Sequence, residues 1–134
     1  MNAGEEIDFV DIIKVAPSHM QAYSEASGDH NEIHLSDEVA KKAGLPGIIA
    51  HGMLIAGLVA SRANQVRLEH LGSQWKFKRT KFRFRAMTFP DEKVQVGGKV
   101  KEADESHVVL MLTAKNEFDE TKVTAQVTLE KVSA

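Results

Sequence analysis

Residues 48–60 read IIAHGMLIAGLVA, the most apolar stretch of the chain, and it continues in a less apolar vein to about Leu68. The run is too long for an ordinary strand of four to eight residues, and its Ala, Leu and Met are good helix formers. It follows a loop at Gly44-Leu45-Pro46-Gly47. Positions 53–60 are apolar on every side, which predicts a helix enclosed by protein rather than one lying on a surface.

Downstream of this helix the period changes. Val94, Val96, Gly98 and Val100 alternate with Lys93, Gln95, Gly97 and Lys99, and Val123, Ala125, Val127 and Leu129 alternate with Lys122, Thr124, Gln126 and Thr128. Both read as strands with one dry and one wet face. Val108 to Ala114 (VVLMLTA) is apolar on both faces, as a central strand would be. In KFKRTKFRFR (76–85), Phe77 is out of phase with Phe82 and Phe84, and a bulge near Arg79-Thr80 would bring the three to one face. Trp75 and the scattered Met and Phe residues read as core.

Upstream, Ile7 to Val15 reads as an opening strand, broken by Ala16-Pro17. Ser18 is placed to cap a short helix through Tyr23 to about Ser27, ended by Gly28. Asp29 to Ile33 is irregular, and Ser36 to Lys42 gives one or two further helical turns. One buried helix against one curved antiparallel sheet makes the fold class α+β.

The 134 residues suit a single domain, 1–134, large enough to build a core without metal or disulfides. There is no cysteine, hence no thiol nucleophile or thiolate metal site. No run reaches the length of a membrane span, and the acidic N-terminus does not resemble a secretory signal, so a soluble cytoplasmic protein is expected. The net charge of −2 argues against nucleic acid, but its distribution is uneven. Residues 76–85 hold six cations and no acid, while the rest of the chain sets 11 basic against 19 acidic residues. A basic stripe on an acidic body can steer an anionic partner.

Residues 23–34, YSEASGDHNEIH, carry the candidate chemistry. Asp29 and His34 on a tight loop, with Asn31 between them, can form an acid–base pair. Gly28 permits the backbone conformation such a loop needs. An Asx-turn is the plain structural alternative for Asp29. A metal site is the chemical alternative: His30 and His34 are four apart, with Asp29 and Glu32 beside them, although Gly28 and Asn31 argue against the helix that spacing would require. His51-Gly52 opens the apolar helix, where unpaired amides at a positive dipole end can stabilise an oxyanion and Gly52 lets a ligand approach them. A hydrogen-bonded buried His51 is the alternative there. His19, His70 and His107 read as surface residues.

Together, Tyr23, Ser27, Gly28, Asp29, Asn31, Ile33, His34 and Ala40, with Ala50-His51-Gly52-Met53-Leu54, resemble the two signatures of the MaoC-like (R)-specific enoyl-CoA hydratases, or hydratase 2. Glu32 stands where that family usually has Pro, Ala26 where it has a bulkier residue, and Met87 where a Pro is common. The resemblance implies a hot-dog fold, a five-stranded antiparallel sheet wrapped around the long helix, and a homodimer with an acyl tunnel beside its interface. It implies no metal and no cofactor beyond the coenzyme A or phosphopantetheine of the substrate. Asp29 and His34 would hold and activate water against a trans-2-enoyl thioester, Asn31 would brace them, and the Gly52 amide would bind the thioester oxygen. His51, Met53, Lys81, Arg83 and Arg85 would contact substrate, the cations meeting coenzyme A phosphates or an acidic acyl carrier protein. A thioesterase of the same fold would place a carboxylate on or near the central helix, and 48–60 offers none.

Overall fold

The computed structural model describes residues 1–132. In chain order the elements are β1 (Glu6–Lys14), α1 (Pro17–Ser27), a 3₁₀ turn (Glu32–His34), α2 (Asp37–Lys42), α3 (Gly52–His70), β2 (Trp75–Phe84), β3 (Lys93–Ala103), β4 (His107–Lys115) and β5 (Thr121–Lys131). The five strands form one antiparallel sheet in the order β1-β3-β4-β5-β2. The doubly apolar strand is at its centre, as its sequence predicts. Trp75 is buried, and the alternating valines of β3 and β5 face α3, whose Ile55, Val59, Ala63 and Val66 complete the core.

The sheet bends where side chains are missing. A Cβ on Gly97 would lie 2.7 Å from the backbone of Phe9, and one on Gly98 1.9 Å from the Met111 carbonyl oxygen. This glycine pair lets β1 and β4 close on β3 more tightly than any larger residue allows.

Several local expectations need correction. The helix starts at Gly52, as the His51-Gly52 reading has it, and not where the apolar run begins at Ile48, because residues 48–50 are tied to loops on either side: the Ile49 amide donates to the Ile33 carbonyl and the Ala50 amide to the Thr88 carbonyl. Nor is α3 enclosed. Met53 is 56% exposed and Leu68 53%, since one sheet covers only one face of a helix. At α1 the N-cap is Ala16, with Pro17 in the first turn rather than Ser18 as cap. The ring of His19, which is half-buried rather than a surface residue, accepts a hydrogen bond from the Ala16 amide through Nδ1 (3.0 Å). His107 is likewise half-buried.

The bulge in β2 falls between Phe77 and Arg79, slightly earlier than expected. It has the expected effect: Phe77, Phe82 and Phe84 pair with Leu129, Ala125 and Val123, all in the core-facing series of β5. Yet Phe84 is 54% exposed and Phe77 43%, because β2 is an edge strand that α3 covers only in part. Phe118, in the β4–β5 turn, is also at the surface.

Lys122 overturns the wet-face reading of its strand. A register shift opposite Ala114 and Lys115 inserts it as an extra residue in β5, and its side chain is fully buried. Bulges re-aim side chains in this way. Its ammonium donates to the Met87 carbonyl (2.7 Å) and pairs with Glu92 (2.9 Å) and Glu120. Glu92 also accepts from the Asn116 side chain and the Phe89 amide. Residues 85–92, which have little regular structure, are thereby pinned to the sheet.

Candidate active site

Gly28 ends α1 in the left-handed region (φ 78°), and the chain turns straight into Asp29. The buried Ser24 hydroxyl donates to the Asp29 carbonyl (2.7 Å) and bonds the His30 ring (2.9 Å). The Asp29 carboxylate accepts from the Asn31 amide (3.2 Å), and the Asn31 side chain accepts from the Ile33 amide to cap the 3₁₀ turn that carries His34. Asn31 thus braces the loop through the backbone. Ser24 is the supporting residue that sequence reasoning missed; the only signal was a small hydroxyl one helical turn before Gly28.

His34 is buried, and its Nδ1–H donates to the Ile49 carbonyl (2.8 Å). That bond leaves Nε2 as the free lone pair of the neutral ring. His51, 2% exposed, stacks on His34 with ring centroids 3.8 Å apart and planes 25° apart; Tyr23 packs at 4.7 Å. The His51 Nε2–H donates to the Asp29 carbonyl (3.2 Å), and its Nδ1 is buried without a partner. His51 therefore supports both members of the pair from behind, and it is absent from the pocket lining.

A cavity of about 330 Å³ lies in front of His34. Gly52, Ile55 and Val123 line it, as do Phe84 and the stretch Arg85–Thr88. The first amides bonded within α3 are those of Leu54 and Ile55, both to the His51 carbonyl, so Gly52 and Met53 have no intrahelical acceptor. A Cβ on Gly52 would press to 3.1 Å from the Phe84 ring. The arrangement sets the His34 imidazole and the free Gly52 amide on one apolar cavity, which suits proton transfer beside a developing oxyanion.

The other expected substrate contacts are distributed differently. The Met53 side chain points to solvent. Lys81, Arg83 and Arg85 line a second concavity of about 300 Å³ with Met111, Thr124 and Gln126, on the opposite face of the sheet. Arg85 lines both cavities.

The Asp29 carboxylate and the rings of His34 and His51 each offer one ligand atom within 4.8 Å of the others, a spacing that could hold a cation. His30 and Glu32 are not in this group. The segment is a loop and a 3₁₀ turn, so the helical His30/His34 face does not form.

Burial depresses the His51 pKa below its ordinary 6.5, with the neighbouring His34 acting in the same direction and the bond to Asp29 opposing. Below pH 6.5 the unfolded chain binds a proton that the native ring resists, so native stability falls as the pH falls. Glu92 works the same way lower down. Burial opposes its ionisation, but bonds from Lys122, Asn116 and Phe89 outweigh that and hold it below 4.5. Its contribution is present above pH 4.5 and is lost as acid protonates it in the native state. Urea unfolding between pH 7.5 and about 3 is expected to show stability declining through both ranges, and His51→Gln to flatten the upper decline.

The family model described as MaoC like domain matches residues 1–131. The chain belongs to the MaoC-like family. Among curated relatives of this MaoC-like chain, a fatty acid synthase beta subunit (TOXC) of Cochliobolus carbonum is 34% identical over 100 residues, 67% of this chain and 5% of that protein. The 3-hydroxyacyl-thioester dehydratase X of Mycobacterium tuberculosis is 40% identical over 48 residues, 36% of this chain and 17% of that protein. The match thus spans far less than two thirds of either relative. Among solved structures, the R-hydratase PhaJ1 of Pseudomonas aeruginosa superimposes with a TM-score of 0.78 at 20% identity, covering 100% of this chain and 84% of that one, which establishes the hot-dog fold. Among the described residues no helix is long and apolar enough to cross a membrane.

Proposed function

We propose that the chain catalyses the reversible addition of water to trans-2-enoyl thioesters, giving (R)-3-hydroxyacyl thioesters. The observation that carries this reading is the free Nε2 of His34 and the unbonded Gly52 amide on one apolar cavity, with the Asp29 carboxylate beside His34. Water held by Asp29 and His34 loses a proton as its oxygen bonds C3, and a proton is delivered to C2. Charge builds on the thioester oxygen between these events, and the Gly52 N–H at the positive end of α3 receives it. The apolar wall of Ile55, Phe84, Met87 and Val123 takes the acyl chain, and Lys81, Arg83 and Arg85 receive phosphates of the thioester's carrier arm.

The decisive experiment is loss of the conjugated absorbance of crotonyl-CoA, with chiral analysis of the product. An (R) product supports the assignment, and an (S) product or free thiol release overturns it. The exposed Met53, Leu68, Phe77 and Phe84 support association of two copies, which sedimentation would detect as a dimer.

The Asp29–His34–His51 spacing also invites a metal reading. It is the weaker one, because the His34 and His51 rings stack face to face, centroids 3.8 Å and planes 25° apart, so their in-plane lone pairs do not converge on one ion. Dialysis against a chelator is expected to leave the hydration rate unchanged. A loss restored by zinc would favour the metal.

A further inference from the structure

We propose that the outer face of β2 docks a small acidic carrier protein, which presents the acyl group on a phosphopantetheine arm. This rests on the thioester hydratase reading and names the carrier.

Strand register fixes the direction of the cations. Lys76, Arg79, Lys81 and Arg83 pair with Glu130, Thr128, Gln126 and Thr124, the β5 residues that alternate with its core-facing series. All four therefore lie on the face away from α3, and all are exposed. Lys101 of β3 reaches the same face, its ammonium donating to the Gln126 side chain (3.4 Å). Glu130 meets the far end, where it lies 3.9 Å from Lys78 and 3.4 Å from His107.

Length separates a protein partner from coenzyme A alone. The concavity formed with Lys81, Arg83 and Arg85 is sized for one phosphorylated moiety, and through Arg85 it adjoins the catalytic cavity. Lys76 lies nine residues from Arg85, which along a strand is about 30 Å. A ligand seated in the concavity does not reach Lys76, Lys78 and Arg79, of which Lys78 has Glu130 3.9 Å away, whereas an acidic protein surface spans the row. Such a row on an acidic body also orients the approach of a partner of opposite sign.

The test compares crotonyl-CoA with a crotonyl-loaded acyl carrier protein, using wild type and Lys76→Gln/Arg79→Glu, whose substitutions lie outside both cavities. The expected result is a KM for the carrier thioester raised at least tenfold, with kcat and the KM for crotonyl-CoA unchanged. Added salt should raise the wild-type KM for the carrier thioester more steeply than that for crotonyl-CoA, since more cations face the carrier. An unaltered carrier KM in the variant, or hydration of the CoA ester alone, overturns the proposal. Should neither ester be hydrated, the hydratase reading falls, and titration with unloaded carrier judges the surface separately. Binding weakened in the variant supports docking; equal binding, or duplex DNA binding as tightly, refutes it. Lys76→Gln/Arg79→Gln serves in the same assays if the reversed charge impairs folding.

Discussion

Asp29→Asn and His34→Asn are each expected to lower the hydration rate of crotonyl-CoA by about 10²–10⁴-fold, the usual worth of a positioned acid or base. His34→Asn gives up the ring stacked on His51, but neither change touches the apolar core between α3 and the sheet. The Asp29 backbone carbonyl, not its carboxylate, takes the bonds from Ser24 and His51. An Asn at 34 can still donate toward the Ile49 carbonyl. Circular dichroism and melting temperature should therefore stay close to wild type while turnover collapses. Full activity in either variant would remove that residue from the mechanism. The two losses should also fail to add, since groups that serve one water act as a unit.

Lys122→Met is expected to be the most destabilising single change, by about 3–5 kcal/mol, because removing one partner of a buried ion pair leaves the other charge uncompensated. A domain of this size has about 5–15 kcal/mol in total. The melting temperature should drop by about 10–20 °C. Lys122→Met/Glu92→Met, which removes both the ammonium and its buried partner, should recover a large part of that loss. Recovery of stability without recovery of rate would show that the ammonium also shapes the cavity, since it holds the carbonyl of Met87 and Thr88 bonds Ala50 next to the helix start. A melting temperature within a degree or two of wild type would contradict the buried-pair account.

Much of this architecture was legible in the residues. Period-two valines announced β3 and β5, the doubly apolar 108–114 announced the central strand, and the phase change among Phe77, Phe82 and Phe84 announced a bulge. Periodicity reports what a strand does on average and is blind to inserted residues, so the burial of Lys122 was hidden. Hydropathy likewise placed the helix start four residues early, since Ile48 to Ala50 are as apolar as the first turns of α3. Long-range bonds from Thr88 and Ile33 to that segment keep it extended. Asp29 and His34 stood out as a candidate pair because they share one short loop, and Gly52 because it opens the apolar run's helix. Residues 85–88 carry no local signal; backbone bonds to Lys122 and Ala50, with the buried Lys122 ammonium on the Met87 carbonyl, hold them in place.

On the proposed reading, bond-making and tail recognition fall to separate stretches of the chain. The reacting groups sit on 29–34 and at the opening of the long helix, whereas one flank of the chamber for the acyl tail is Ala86 and Met87, in a stretch tethered by backbone carbonyls and a distant ammonium. Replacing those two side chains alters neither tether nor reactive groups. Tail preference could therefore drift between descendants through a pair of codons while the catalytic machinery stays intact.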